Sequence, residues 1–193
     1  MYVRSLLVSV CLLLLLLHAS LAGADPALAI RPLDHSAAAT LHRAMTGSAL
    51  VRAMALELGD TDVIVHLQMS PRLPGNVGGT TRFVVSRGGV RYLRTTISTI
   101  IAPEARAAML GHELQHALEI ARSDAHDVDS LRDWWTVNGY RTGIDFYETT
   151  AALRVEQEVR KELRRSEAEP VVELDHQDLG AAGAEAAAEI PER

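Results

Sequence analysis

The position of the single cysteine constrains this 193-residue chain most: Cys11 sits inside an apolar run, Leu6 to Leu17, that includes six consecutive leucines. Arg4 precedes the run and Ala22-Gly23-Ala24 follows it, the pattern of a secretory signal peptide over residues 1–24. An uncleaved anchor helix is the competing reading, because Leu6 to Ala22 approaches the roughly 17 residues that can span a bilayer. Cleavage after Ala24, or after Ala22, removes the only thiol. The exported remainder then has no disulfide to rely on, and must be held by its core or by a metal.

The other end is acidic. Ser166 to Arg193 carries Glu167, Glu169, Glu173, Asp175, Asp178, Glu185, Glu189 and Glu192 against Arg193 alone, with two prolines and no aromatic residue. So little apolar surface cannot offset ordering entropy, and an acidic disordered tail over 166–193 is expected. The whole chain has 19 basic and 25 acidic side chains, a net charge of −6. Subtracting Arg4 and the tail leaves 17 of each sign in 25–165. That neutral stretch is one domain in length and offers no basic footprint for nucleic acid.

Within it, Ser36 to Leu58 favours helix, with a break at Gly47 and a fresh N-cap at Ser48. Asp62 to Met69 has the β-branched content of a strand, and the prolines and glycines between 71 and 79 mark a loop. Thr80 to Ser98 reads as a hairpin turning at Gly88-Gly89, with Val84 opposite Leu93 and Val85 opposite Tyr92. The hairpin arginines, Arg82, Arg87, Arg91 and Arg94, are the kind of charge that keeps an edge strand soluble. A helix follows from Pro103 to about Arg122, a second over Val128 to Asn138, and a third from near Asp145 through Glu148 to Arg165. The expected class is α+β: a small twisted antiparallel or mixed sheet packed on the Pro103 helix, followed by two further helices.

The Pro103 helix carries His112-Glu113-Leu114-Gln115-His116. Residues i and i+4 share a helix face, so two imidazoles at this spacing can converge on one ion. Glu113, rotated by about 100°, stands beside that ion, where it can take a proton from a metal-bound water. Gly111 permits close approach of a neighbouring element.

The segment Leu110-Gly-His-Glu-Leu-Gln-His-Ala resembles the active-site helix of zincin metallopeptidases. The resemblance covers the stretch from the hairpin through the third helix. It implies a twisted sheet before the helix whose edge strand, here in the Thr80 to Ser98 hairpin, binds an extended peptide antiparallel to itself. It also implies Zn²⁺ held by His112, His116 and a third ligand, with Glu113 as general base. Glu119 and Arg122 stand where the metzincin extension needs Gly and His or Asp, so that clan is excluded. The gluzincin arrangement takes a Glu from a later helix, and Glu148 is its best match; its usual partner Asp, four residues on, is here Ala152. Glu156, Asp145, Asp124, His126 and Glu119 stay open as alternatives, and Asp145 with Glu148 also reads as a capping box.

Tyr140 and Tyr147 are candidates for oxyanion donors or for packing, and Trp134-Trp135 for covering the back of the helix. His35, His42 and His66 read as scattered surface or strand histidines. The resulting expectation is a secreted or periplasmic zinc metallopeptidase acting on a peptide or protein, with no nucleic-acid partner and no stable membrane insertion once the leader is removed. One alternative is a zinc-stabilised, catalytically silent binding module on the same fold. Another is a di-iron carboxylate bundle, suggested because Glu173-x-x-His176 repeats the Glu113-x-x-His116 spacing.

Overall fold

The computed structural model describes residues 29–144 and 146–168. The expected leader, Asp145 and the acidic segment from Glu169 onward, including the second Glu-x-x-His, lie outside the described residues. Among the described residues the architecture is mixed α+β: a four-stranded mixed sheet, a small antiparallel ribbon and five α-helices. A sheet of this kind does not suit a di-iron helix bundle.

Strand β1 (Ile30–Pro32), which sequence patterning did not reveal, leads into helices α1 (His35–Gly47) and α2 (Ala49–Gly59). Asp34 caps α1 by accepting from Ala37 N at 2.8 Å, and its other carboxylate oxygen accepts from Met69 N at 2.9 Å. One side chain thus starts the helix and fastens it to the sheet. Ser48 caps α2 as its sequence position suggests, accepting from Val51 N at 3.1 Å.

Strands β2 (Val63–Ser70), β3 (Gly79–Arg87) and β4 (Val90–Ser98) complete the sheet in the order β1-β2-β4-β3. The β1–β2 and β2–β4 pairs are parallel, and the β3–β4 hairpin is antiparallel. Val85 does pair with Tyr92, but Phe83, not Val84, pairs with Leu93, because the register shifts between Phe83 and Val85. An extra residue at that point is a β-bulge, which restores Phe83 to the covered face and leaves Val84 exposed.

Val63, Val65 and Leu67 of β2 and Leu93 and Ile97 of β4 point into the core, where they meet helix α3 (Pro103–Ala121). This helix is buried on nearly every side from Ala107 to Ile120, as befits a central helix. Gly111 lets α5 (Thr150–Ala168) cross it closely: a Cβ there would come within 2.8 Å of Val159 Cγ2. Arg91 is buried and does not serve strand solubility. Its guanidinium donates to Asp62 and to the carbonyls of Ile120, Ala121, Ser123 and Ala125 at 2.6–3.1 Å. Those carbonyls lie at the C-terminal end of α3 and just beyond it, where i+4 helical donors run out, although Ile120 O also accepts from Ser123 N at 3.1 Å and from the Ser123 hydroxyl at 2.8 Å.

Helix α4 (Val128–Asn138) starts at a capping box formed by Asp127 and Ser130. Beyond it the chain departs from the sequence expectation. Tyr140–Gly143 (β5) and Phe146–Glu148 (β6) form an antiparallel ribbon, so the third helix begins at Thr150, not near Asp145. It then continues through Ala168, taking in the first three residues of the expected tail.

Candidate metal centre

Because α3 is central, its polar residues are buried: His112, Glu113, Gln115, His116 and Glu119 all lie out of solvent. Buried polar groups need partners, and the final residue of β6 supplies one. Glu148 Oε2 lies 3.3 Å from His112 Nε2, and Glu148 Oε1 lies 3.5 Å from His116 Nε2. The three donors, one from each residue, fall within 4.8 Å of one another, and together they could hold a metal ion. Ligands about 2.0–2.1 Å from a tetrahedral ion stand roughly 3.3 Å apart, so the two imidazole–carboxylate spacings match an edge of such a site. Glu148 reaches this position from a strand end, where a helix-borne carboxylate was expected.

Each imidazole has a second carboxylate behind it. His116 Nδ1 sits 2.9 Å from Glu119 Oε2, and His112 Nδ1 sits 3.5 Å from Glu156 Oε2. Glu119 is held in turn by Gln115 Nε2 at 3.1 Å and by the Thr149 hydroxyl at 2.9 Å. Thr149 also caps α5, accepting from Ala152 N at 3.1 Å. The residue after Glu148 therefore ties the strand end, the start of α5 and the α3 histidine together. Thr149 escaped sequence reasoning, although a Thr ahead of an Ala-rich helical run is an N-cap signal. Glu119 was visible as a residue on the histidine face, but whether it would be a ligand or a support depends on which ring nitrogen it meets.

Charge follows from this packing. Burial works against protonating His112, yet the carboxylates of Glu148, Glu156 and Glu113 raise its pKa to about 10. His116 is likewise opposed by burial and raised to about 9 by Glu119, Glu148 and Glu113. Burial would lift the Glu148 carboxyl, but the two imidazoles hold it down to about 2.

Glu113 faces the other way, toward edge strand β3. A Cβ on Gly79 would come within 2.6 Å of Glu113 Oε1, so glycine is what leaves room for that carboxylate. Thr81 of the same strand donates to the Glu113 backbone carbonyl at 3.2 Å. Burial raises the Glu113 carboxyl pKa, and its Oε2 has no hydrogen-bond partner among the described residues. An unpartnered buried carboxylate oxygen is suited to receive a proton or a donor from something entering the site.

A cleft of about 750 Å³ opens over these groups, walled by β3 on one side and by α4 and the β5–β6 ribbon on the other. Trp135 lines it rather than covering the back of α3, with its ring edge-on to His116 at 5.1 Å. Tyr147 also lines the cleft and stacks on Trp135 at 6.5 Å, whereas Tyr140 is not part of the wall. Arg82 places its guanidinium 5.9 Å from the Phe146 ring centre at the cleft wall. Asp124 and His126 are exposed and contribute nothing to the site. Compared with known proteins, the chain matches no family model, no curated protein and no solved structure.

Proposed function

We propose that this chain is an exported zinc-dependent metallopeptidase, with His112, His116 and Glu148 as ligands and Glu113 as general base. One observation carries the reading: two imidazoles and a carboxylate converge at metal-ligand spacing on the floor of a cleft, with a separate buried carboxylate beside them. Zn²⁺ held there would polarise a scissile carbonyl and lower the pKa of water in its open position toward about 7. The protein's own part is geometric and electrostatic. Glu119 fixes the His116 ring through its Nδ1, Glu156 stands 3.5 Å from His112 Nδ1, and both Nε2 atoms face Glu148. Glu113, whose carboxyl burial makes a stronger base than an exposed one, is suited to accept a proton and return it to a leaving amine. Strand β3 is paired on one side only, so its free edge along the cleft can take an extended peptide.

Zinc is favoured over harder ions by the two-imidazole, one-carboxylate donor set. The test is Glu113→Gln. Hydrolysis of a peptide library should fall by at least about 100-fold while zinc content stays at the wild-type level. Undiminished cleavage by that variant would remove Glu113 from the mechanism. The silent-module reading has its own supporting observation, since the ligands come from two segments and an ion would clamp them. It requires that the zinc-loaded wild type cut no peptide at all.

A further inference from the structure

The register of edge strand β3 decides which of its groups an incoming peptide would meet. Ser98 N donates to the Gly78 carbonyl at 2.9 Å, and backbone groups alternate along an antiparallel ladder, so the N–H and C=O of Gly79 and Thr81 point to the free edge. Both positions face α3: the Cα of Gly79 abuts the Glu113 carboxylate, and the Thr81 hydroxyl donates to the Glu113 carbonyl. Arg82 therefore stands on the other face of the strand, in register with Arg94 of β4. Like charges directly opposite one another on a sheet repel. The Arg82 guanidinium lies instead 5.9 Å from the Phe146 ring centre, at the wall of the cleft. An aromatic ring attracts a cation without neutralising it.

Arg82 is thereby held at the cleft with its charge open. Arg132, the second arginine of the wall, is paired with Asp129 at 2.8 Å, whereas none of the ion pairs among the described residues involves Arg82. The acids of the cleft are engaged elsewhere: Glu148 meets His112 and His116, Glu156 meets His112 and Arg160, and Glu113 lies beside Gly79. An extended peptide paired with the free edge places one side chain directly opposite Arg82 and on the same face. A carboxylate there gains a planar, charge-assisted partner, and a cationic side chain is repelled. Along β3, Arg82 is three residues from Gly79, about 10 Å at 3.3–3.4 Å per residue. Gly79 marks the position of Glu113, so the side chain that meets Arg82 belongs about three residues from the bond under attack.

We propose that Arg82 makes this cleft selective for acidic peptides, by pairing with an aspartate or glutamate about three residues from the bond that is cut. The inference rests on the peptidase reading of the same cleft and adds its substrate class.

A randomised decapeptide library, blocked at both ends, gives two readouts. One is the set of peptides cut by the zinc-loaded wild type. The other is the set retained on immobilised, zinc-loaded Glu113→Gln. In both, Asp and Glu should be enriched over Asn and Gln by about fivefold, the upper range for an exposed ion pair, and among cut peptides at one position about three residues from the new end. Arg82→Gln should bring the ratio to about 1, and Arg82→Glu should replace the acids with Lys and Arg. Arg94→Gln, which removes the same charge one strand further in, should keep the acidic enrichment. Absence of acidic enrichment in both readouts overturns the proposal, as does enrichment that survives Arg82→Gln or is lost equally in Arg94→Gln. A wild type that cuts nothing, while retention still depends on Arg82, removes the peptidase reading and leaves the acidic selectivity standing.

Discussion

At the scale of single residues, a few side chains each hold two or more parts of the molecule. Glu119 meets His116, Gln115 and Thr149 at once. By accepting from Nδ1 it leaves Nε2 of His116 as the ligand-facing atom, a support that typically changes metal affinity by about 10–100-fold. Glu119→Ala should therefore weaken Zn²⁺ binding by that factor, measured by competition with a chromophoric chelator, while Glu119→Gln, which retains an acceptor oxygen, recovers most of it. Equal affinities in all three proteins would reduce Glu119 to packing. Arg91 is the structural counterpart, and its partner Asp62 titrates accordingly. The Arg91 hydrogen bond, opposed by partial burial, holds the Asp62 pKa below its model-peptide value of 3.8. A depressed carboxyl stabilises the fold above its unfolded pKa, and loses that contribution as pH falls through the folded one. Asp62→Asn should accordingly be less stable than wild type at pH 7, with the gap closing below about pH 4 in thermal denaturation. A gap independent of pH would mean that Asp62 acts by shape alone. Sequence patterning treated Arg91 as one of four surface arginines, because burial of a strand residue depends on which neighbour lies over it.

At the scale of elements, the crossing of α3 and α5 positions the site, and Gly111 sets its closeness. Replacing Gly111 by Ala gains about 1 kcal/mol of helix propensity. The new Cβ would sit 2.8 Å from Val159 Cγ2, and overpacking of that kind costs about 1–3 kcal/mol. The clash should win, making Gly111→Ala less stable by roughly 1 kcal/mol in urea melts. In a Val159→Ala background the clash is gone, and the same change should become neutral or stabilising. A destabilisation that persists there would place the conflict elsewhere. Sequence spacing located α3 to within a residue, located α4, and marked Gly111, because periodicity, Pro103 and Gly139 are local signals. It misplaced the start of α5 because Phe146–Glu148 is fixed by pairing with Tyr140–Gly143, a contact no local pattern announces. Glu148 still falls beside His112 and His116, since a strand end abutting the N-cap brings the carboxylate to them. The bulge at Val84 escaped for a similar reason: only the buried side of Phe83 requires it.

At the scale of the whole molecule, no thiol lies among the described residues, so non-covalent contacts alone join α3 to the ribbon and α5. The His112, His116 and Glu148 group spans that junction, and a metal ion bound there would link segments separated by more than thirty residues. Binding to the native state alone stabilises by RT ln(1 + [L]/Kd), about 2.7 kcal/mol at 100-fold excess over Kd. For a domain of this length that corresponds to a rise in Tm of roughly 8–13 °C. Scanning calorimetry with free Zn²⁺ buffered at 100 Kd and with a chelator should show this difference in the wild type. His116→Ala should show almost none at the same free Zn²⁺, because two donors cannot hold the ion with comparable affinity. Buffered Ca²⁺ should not substitute, since hard cations prefer six to eight oxygen ligands and two of the three donors here are imidazole nitrogens. A wild-type Tm unchanged by zinc would mean that the buried imidazoles and Glu148 form a self-sufficient ion-pair network, and the metal centre would have to be abandoned together with the chemistry built on it.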